Sequence, residues 1–366
     1  MKTHEKQTHE KLFHVVKRAD ISLQRSLLVR VAAVAAAMIF CALLSMALIG
    51  ANPFKFISTM FDGAFGSERR LWKFAKDTAV LLCISLAVTP AFRMRFWNIG
   101  AEGQVLVGAL ASVACAFYLG GSIPNSLLLV CMFFASVIAG AVWAFIPAIF
   151  KAKWGTNETL FTLMMNYVAT YLVAYFLLVW TPDGSSTLGE LKVGHMPKLY
   201  NEYLLLIIIV VVLTALMYVY LNFTKQGYEI SVVGESENTA RYIGINVGKV
   251  ILRTMIVSGA VCGVAGFLIV GALDHSITTT TVGGLGFTAI MVSWLAKFNP
   301  FIMIATSGLI VALTQGGAQI STNFNVSSAF PNMVVGIILF FIIGCEFFIN
   351  YRIKPRVSKK KEVENA

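Results

Sequence analysis

Ten stretches of predominantly apolar residues succeed one another along the chain, and they restrict its fold more than any other feature. About 20 apolar residues in a helix are needed to cross the hydrocarbon core of a bilayer. Windows of roughly that length predict spans at 31–50, 78–92, 99–119, 124–150, 158–180, 203–223, 250–273, 285–297, 299–317 and 331–350. Because 57% of the residues are hydrophobic and only 13% are charged, the sequence predicts an all-α polytopic membrane protein with about ten transmembrane helices, some of them short or broken.

Two of these windows are short for a complete crossing. Pro90 interrupts the window at 78–92, and a Gly-rich turn at 283–286 precedes the window at 285–297. Short or broken helices at membrane depth are tolerated where they are buried in protein or line a cavity. They are typical of the substrate pathways of transporters, so the two short windows point to a transport path.

The basic residues are distributed unequally over the connecting segments. Ten crossings place both termini on one side, and with the termini inside, 22 of the 29 Lys and Arg residues fall in inner segments. Such an excess marks the cytoplasmic side, so we expect cytoplasmic termini and an outer loop at 181–202. The formal net charge of +11 then reflects topology and not nucleic-acid binding. Five of the seven basic residues in outer segments lie in the first outer loop, and they are Lys55, Arg69, Arg70, Lys73 and Lys76. Nothing in the sequence accounts for the cluster at 69–76.

Composition divides the chain into three parts. Residues 1–30 are a basic cytoplasmic segment, residues 31–350 are the transmembrane domain, and residues 351–366 are a basic cytoplasmic tail. In the first part, apolar residues at helical spacing predict an amphipathic helix on the inner leaflet, with a solvated leader as the alternative. These residues are Leu12, Val15, Val16, Ala19 and Leu23.

The sequence lacks the residue patterns that several kinds of chemistry require. The string at 244–249 has the wrong spacing for a phosphate-binding loop, no metal-type cysteine pair occurs, and no charged residue lies in the interior of a predicted span. Ion-driven carriers usually keep an ionisable group at membrane depth. We therefore expect a neutral polar substrate, no catalytic residue, metal or cofactor in this chain, and an energy source outside it. The alternatives are a secondary transporter and a membrane-embedded enzyme, for which His275 beside Asp274 is the nearest candidate.

A polar cluster at 97–104 interrupts the apolar sequence at the inner end of a predicted span. In a structural role, Asn98 would cap the helix that follows, and Glu102 would lie near the positive end of that helix dipole. In a functional role, Asn98, Glu102 and Gln104, together with Asn166 on a later span, would form the inner end of a translocation path.

The longest inner loop, 224–249, contains the signals of a short helix. Ser236 is placed to cap it, Glu237 and Arg241 have the spacing of an ion pair, and Gly244 is suited to end it in the left-handed conformation. Because so short a helix is marginal alone, it must dock either on this protein's own inner surface or on a cytoplasmic partner.

Four segments resemble one family of transport proteins. They are FWNIGAEGQ at 96–104, GTNETLFTLMMNY at 155–167, VGESENTARYIGIN at 233–246 and GGLGFTAIMVSWL at 283–295. They resemble the permease subunits of bacterial ABC importers for nucleosides and simple sugars, in the branched-chain amino acid and ribose permease superfamily. The resemblance implies a type II importer permease in the bacterial plasma membrane and a nucleoside substrate, with ribose-like sugars or branched-chain amino acids as alternatives.

The same resemblance implies partners and working residues. An ABC ATPase subunit would bind ATP and Mg²⁺, a second and usually non-identical permease would complete the pathway in the lipid bilayer, and an extracytoplasmic lipoprotein would deliver the substrate. Access would alternate around Asn98, Glu102, Gln104 and Asn166. The coupling contact with the ATPase would be made by Gly234, Glu235, Asn238, Ala240, Arg241 and Gly244. One departure is the run from Ser293 through Trp294 and Leu295 to Ala296, which stands where relatives often have small residues and Gly.

Overall fold

The computed structural model of the chain describes residues 13–18, 23–181, 187–327 and 329–355. Its helices are α1 (Leu23–Ile49), α2 (Pro53–Phe65), α3 (Glu68–Arg93), α4 (Ala101–Leu119), α5 (Asn125–Trp154), α6 (Glu158–Trp180), α7 (Leu204–Phe223), α8 (Lys225–Glu235), α9 (Glu237–Tyr242), α10 (Val247–Leu268), α11 (Leu285–Leu295), α12 (Pro300–Phe324) and α13 (Ala329–Asn350). A π-helical segment, Ile269–Asp274, continues α10, and the strands are β1 (Phe13–Lys17) and β2 (Tyr351–Pro355).

Nine helices within the described ranges are long and apolar enough to cross a membrane, and α11 is a shorter apolar helix. Each of the ten predicted windows falls on one of these ten helices, so the predicted all-α polytopic fold is confirmed. Side chains cap the starts of several helices, as their residue types favour. The N-cap residues with such a hydrogen bond are Ser67, Asn157, Thr224, Ser236 and Asn246.

The prediction that the second span is short and broken is wrong. Helix α3 begins at Glu68, ten residues before the predicted window, because Ser67 accepts a hydrogen bond from the backbone N–H of Arg70 and caps it. Pro90 lies inside its last turn, where the lost backbone hydrogen bond does not stop the helix. Basic residues in the first turns lower the local hydropathy, so the hydropathy windows did not include this part of the helix. One of these basic residues, Lys76, contacts both Asp77 and the ring of Tyr203.

The prediction of an amphipathic helix near the N-terminus is also wrong for residues 13–18, which the structure describes. Residues Phe13–Lys17 form β1, which pairs antiparallel with β2, and the backbone N–H of Arg18 donates to the carbonyl of Asn350. Adjacent Val15 and Val16 favour an extended strand over a helix. Leu12 and Ala19 lie outside the described residues. Because β1 precedes α1 and β2 follows α13, this pairing brings the N-terminal end of α1 and the C-terminal end of α13 to the same side of their unit.

The chain divides into two compact units. The first consists of the described parts of Met1–Gly63 and Leu313–Ala366. In it, α1 packs against α13, and Arg30 Nε donates to Glu346 Oε1 at 2.9 Å. A helix that the windows missed, α2, follows α1; it has 13 residues, too few to cross a membrane.

The second unit, Ala64–Ala312, is built around α4, α5 and α10. These helices approach closely through small residues: a Cβ placed on Gly140 would lie 2.3 Å from the carbonyl oxygen of Gly259. Ser136 Oγ donates to the carbonyl of Gly263 at 2.6 Å across the same interface. Small residues and hydroxyl groups of this kind hold transmembrane helices together where the hydrophobic effect does not.

Candidate functional site

The polar cluster at 97–104 covers the end of the connection between α3 and α4 and the first turn of α4, and two of its side chains are bonded to each other. Asn98 Oδ1 accepts from Gln104 Nε2 at 3.1 Å, and Asn98 Nδ2 donates to Gln104 Oε1 at 3.3 Å and to Ser258 Oγ at 3.4 Å. Asn98 and Gln104 are fully buried. Asn98 Oδ1 also accepts from the backbone N–H of Gly100, the N-cap residue of α4, and α4 has no side-chain cap of its own.

Asn166 attaches α6 to the start of α4. Its Oδ1 accepts from the backbone N–H of Gly103 at 2.8 Å, and its Nδ2 donates to the carbonyl of Ile99 at 2.9 Å. Thr162, one turn earlier on α6, accepts from the backbone N–H of Ile99 at 3.1 Å. The amide of Asn166 is therefore used within the chain, in positioning the segment that carries Asn98 and Glu102.

The carboxylate of Glu102 bonds to the start of another helix, α11, and not to the start of its own helix, α4. Its carboxylate accepts two backbone hydrogen bonds at the start of α11: Gly284 N–H to Oε1 at 2.7 Å and Gly286 N–H to Oε2 at 2.8 Å. The approach requires glycine, because a Cβ on Gly286 would lie 2.5 Å from the backbone nitrogen of Glu102. The starts of α4 and α11 thus meet around one carboxylate, although Glu102 and Gly284 are 182 residues apart in the sequence.

The segment before α11 is not helical. Gly283 and Gly284 have φ values of +61° and +83°, in the left-handed region that favours glycine. The backbone N–H of Thr278 donates to Thr281 Oγ1 at 2.7 Å, which folds the preceding threonine run into a turn. The predicted break before the eighth span is present at this place, and α11 is a half-length helix of 11 residues.

The far end of α11 is fixed by aromatic and hydroxyl contacts. The rings of Trp97 and Trp294 stack with centroids 5.5 Å apart, and Phe92 contacts both. Ser293 Oγ lies 2.9 Å from Thr89 Oγ1 of α3. Trp294, in the run that departs from the family pattern, therefore has a packing partner in Trp97, which directly precedes Asn98.

The loop at 224–249, predicted to be an inner loop, forms two short helices, and its three predicted local signals are confirmed. Ser236 Oγ accepts from the backbone N–H of Thr239 at 3.2 Å, Arg241 lies 3.6 Å from Glu237, and Gly244 has a φ of +86°. The ion pair is exposed, so it contributes little by itself. The cap and the glycine are what define the ends of α9.

One face of this loop docks on the protein itself. Ile230 and Val233 of α8 and Ala240 of α9 are buried in a cluster with Phe96 and Met255. Of the predicted coupling residues, Gly234 and Ala240 are on this inward side; a Cβ on Gly234 would lie 2.1 Å from the carbonyl oxygen of Arg93.

The other face is exposed. It carries the predicted residues Glu235, Asn238, Arg241 and Gly244. Two residues that sequence reasoning missed lie beside them: Tyr242 is 93% exposed and Ile243 is 53% exposed. The signal was present, since these two large residues stand together directly after the mostly polar stretch 235–241. The residues Arg241, Tyr242 and Ile243 are called the α9 tip below.

At the opposite end of α10, two histidines stack with ring centroids 3.9 Å apart. His275 follows the π-helical segment, and His195 belongs to the loop before α7. Burial lowers the pKa of His275, and His195 lowers it further. Across the residues that the structure describes, no group of three or more His, Cys, Asp or Glu side chains could hold a metal ion.

Comparison with known proteins identifies the family. The model of the family described as "Branched-chain amino acid transport system / permease component" matches residues 71–343. The chain belongs to this family, and the resemblance found in its motifs is confirmed. Its polytopic helical fold and its composition agree with a multi-pass membrane permease.

Several curated relatives match most of the chain. A glucose ABC transporter permease protein of Haloferax volcanii is 29% identical, covering 84% of this chain and 85% of its own length. A guanosine ABC transporter permease protein of Bacillus subtilis is 28% identical, with 83% and 88% covered. A nucleoside ABC transporter permease protein of Lactococcus lactis is 27% identical, with 88% and 93% covered. Among solved structures, PsaBC from Streptococcus pneumoniae in complex with Fab matches 79% of this chain and 95% of that chain at 14% identity, with a TM-score of 0.48.

Proposed function

We propose that the chain is the membrane-spanning permease subunit of an ATP-driven ABC importer and that its substrate is a nucleoside. The observation that carries this proposal is the inner loop. One face of the loop is docked on α3, α5 and α10, while the α9 tip is exposed. A rigid base with an exposed apolar and charged tip suits the transmission of force from a cytoplasmic partner.

That partner is an ABC ATPase subunit, which binds ATP and Mg²⁺; this chain itself has no catalytic role. Exposed Glu235, Asn238, Arg241 and Gly244 contact the ATPase, while Gly234 and Ala240 act by allowing the loop to dock. A second, non-identical permease and an extracytoplasmic lipoprotein complete the importer. The permease lies in the bacterial plasma membrane with both termini in the cytoplasm, as the basic excess of the inner segments and the β1–β2 pairing support.

The coupling role is tested by changing the α9 tip in the assembled importer. Arg241→Glu reverses the charge beside Glu237, and Tyr242→Ala removes the most exposed ring of the loop. We expect both variants to insert normally and to lose the co-purifying ATPase. Tyr200→Ala is the matched control, because Tyr200 is 83% exposed in the loop before α7. Full ATPase recovery with both tip variants would show that the loop is only a connector.

The substrate proposal rests on the relatives named for guanosine and nucleosides. A simple sugar is the second candidate, since the glucose permease of Haloferax volcanii has about the same sequence identity to this chain as the nucleoside permeases. Uptake of labelled guanosine, measured with an excess of unlabelled uridine, glucose or leucine, separates the candidates. We expect uridine to compete and glucose and leucine not to. If glucose were the only compound that competed, the proposed substrate would be a simple sugar and not a nucleoside.

Asn98, Gln104 and Asn166 act in this proposal by shaping the pathway. Their polar groups bond within the chain, and all three side chains are buried. They hold the start of α4 and, through it, the carboxylate of Glu102 at the start of α11. Their contribution to transport is therefore to fix the positions of neighbouring backbone segments.

A further inference from the structure

The segment between α10 and α11 descends from one end of the unit into its interior. At its start, Thr278 forms a β-bridge with Thr187 of the loop that precedes α7. At its end, Gly284 is bonded to Glu102. The residue after Glu102, Gly103, is bonded to Asn166, which lies about 12 Å along α6 from its start. The start of α11 is therefore level with the interior of a helix that is long enough to cross a membrane.

The same segment has an exposed side. Thr280 and Gly283 are exposed, and Phe287, in the first turn of α11, is 44% exposed. Non-helical backbone at membrane depth cannot face lipid, because its N–H and C=O groups would find no partner there. The exposed side of the non-helical part, 278–284, must therefore face water or protein, and Phe287 follows it directly in the first turn of α11. Asn98 and Gln104, in contrast, are enclosed.

The start of a helix at this depth has a second consequence. Its unpaired N–H groups and the positive end of its dipole form a natural site for an anion. Glu102 supplies that anion from within the chain, with one carboxylate oxygen on Gly284 and the other on Gly286. A substrate that passes this point finds these amides already occupied.

We propose that the segment 278–287 is the substrate-facing wall of the pathway, that Glu102 is its positioning residue, and that the wall offers no anion site and so suits an uncharged substrate. This inference rests on the proposed import function and deepens it by naming the surface and the charge class of the substrate. It assigns to Glu102 a role on another helix, which its position in the sequence does not reveal.

The position of the wall is tested by thiol labelling of the assembled, membrane-embedded importer. Phe287→Cys and Val211→Cys both replace exposed apolar residues, the second on the surface of α7. A water-soluble methanethiosulfonate reagent is applied at rest and during ATP turnover, with the unsubstituted protein as background. We expect labelling at position 287 in at least one state and at background level at position 211. Background labelling at position 287 in both states would overturn the proposed wall.

The role of Glu102 is tested by chemical rescue. In Glu102→Ala we expect about a tenfold loss of uptake at equal membrane level, because two partly buried N–H groups lose their acceptor. Added formate should restore a large part of it by occupying the vacated site. Glu102→Gln should not respond, since its side chain fills the space, and the unsubstituted protein should be insensitive to formate.

Glu158→Ala is the matched control, because Glu158 pairs with Lys151 at the start of α6, away from α11. Wild-type uptake in Glu102→Ala, or an equal loss that formate leaves unchanged, would contradict the positioning role. Should Glu102→Ala fail to accumulate, the labelling of Phe287→Cys still decides the location of the wall. Labelling does not depend on the substrate, so a failure of guanosine uptake in the unsubstituted importer would count against the proposed function alone.

Discussion

Asn98 and Gln104 form a closed pair, in which each amide group donates to and accepts from the other. Both side chains are fully buried. Removing Asn98 takes away both hydrogen bonds of the Gln104 amide at a buried position, whereas removing Gln104 leaves Asn98 its bonds to Gly100 and Ser258. A buried polar group without its partner costs about 1–3 kcal/mol. The pair therefore stabilises the turn before α4.

A double-mutant cycle measures this coupling. We expect Asn98→Ala and Gln104→Ala each to lower the thermal stability of the purified importer, and the double variant to lower it by clearly less than the sum. The readout is the midpoint of thermal unfolding in detergent. Additive effects would mean that the two amides act independently and that the observed pairing contributes nothing.

The stacked histidines predict a local dependence on pH. Burial and His195 lower the pKa of His275, so the folded loop favours the neutral ring, although Glu190 and Asp274 act in the opposite direction. A histidine with a lowered pKa contributes stability above its ordinary value, and that stability is lost as the pH falls. The loop is held here by Leu191 N–H to the carbonyl of His275, at 2.8 Å.

Hydrogen exchange at Leu191 reports this change directly. We expect faster exchange of its amide as the pH is lowered from about 8 to about 5, after correction for the intrinsic rate. His195→Asn removes the ring that lowers the pKa of His275 and should reduce the dependence. Corrected exchange that does not vary with pH in the unsubstituted protein would count against this reading.

At the scale of elements, the interface of α5 and α10 depends on the absence of side chains. A Cβ on Gly140 would lie 2.3 Å from the carbonyl oxygen of Gly259. Backbone atoms on both sides leave no flexible group that could yield, so Gly140→Ala must separate the helices. We expect a destabilisation of about 1–3 kcal/mol and reduced accumulation in the membrane.

Gly336→Ala in α13 is the matched control for this substitution, because nothing lies within 4 Å of a Cβ placed there. It should be neutral or slightly stabilising, since alanine favours a helix over glycine. Both variants are compared by thermal unfolding and by the amount of protein in the membrane. Equal behaviour of the two would mean that the α5–α10 contact is looser than described.

The elements differ in how far the sequence predicted them. Hydropathy located ten spans, because long apolar runs need no knowledge of the partners against which they pack. It missed the first turns of α3, where Arg69, Arg70 and Lys73 lower the local hydropathy of a well-capped helix. It also predicted a helix where β1 forms, since the pairing of β1 depends on residues more than 300 positions away.

The sequence predicted which residues belong to the candidate site, but not the hydrogen bonds that join distant parts of it. The caps and the glycine of α9 follow local rules, and the structure contains them. The bonds of Glu102 to Gly284 and Gly286 join segments that no local rule relates. The exposure of Tyr242 depends on how α8 docks, which the sequence of the loop does not specify.

At the scale of the whole molecule, the proposed orientation can be tested in intact cells. Lys192 and Asn238 are both exposed, the first in the loop before α7 and the second on α9. We expect a membrane-impermeant thiol reagent to label Lys192→Cys from outside and to reach Asn238→Cys only after the membrane is opened. External labelling of Asn238→Cys would reverse the assigned sides and overturn the coupling role of the α9 tip.

Transport by the purified importer in proteoliposomes tests the central claim, that this chain is the permease of an ATP-driven importer, most directly. The liposomes contain this chain with its ATPase and second permease, and labelled guanosine is supplied with the delivery protein outside. We predict accumulation against the gradient that requires ATP on the ATPase side and is lost with Arg241→Glu. Accumulation driven by a proton or sodium gradient in liposomes that lack the ATPase would contradict the account and identify a secondary transporter.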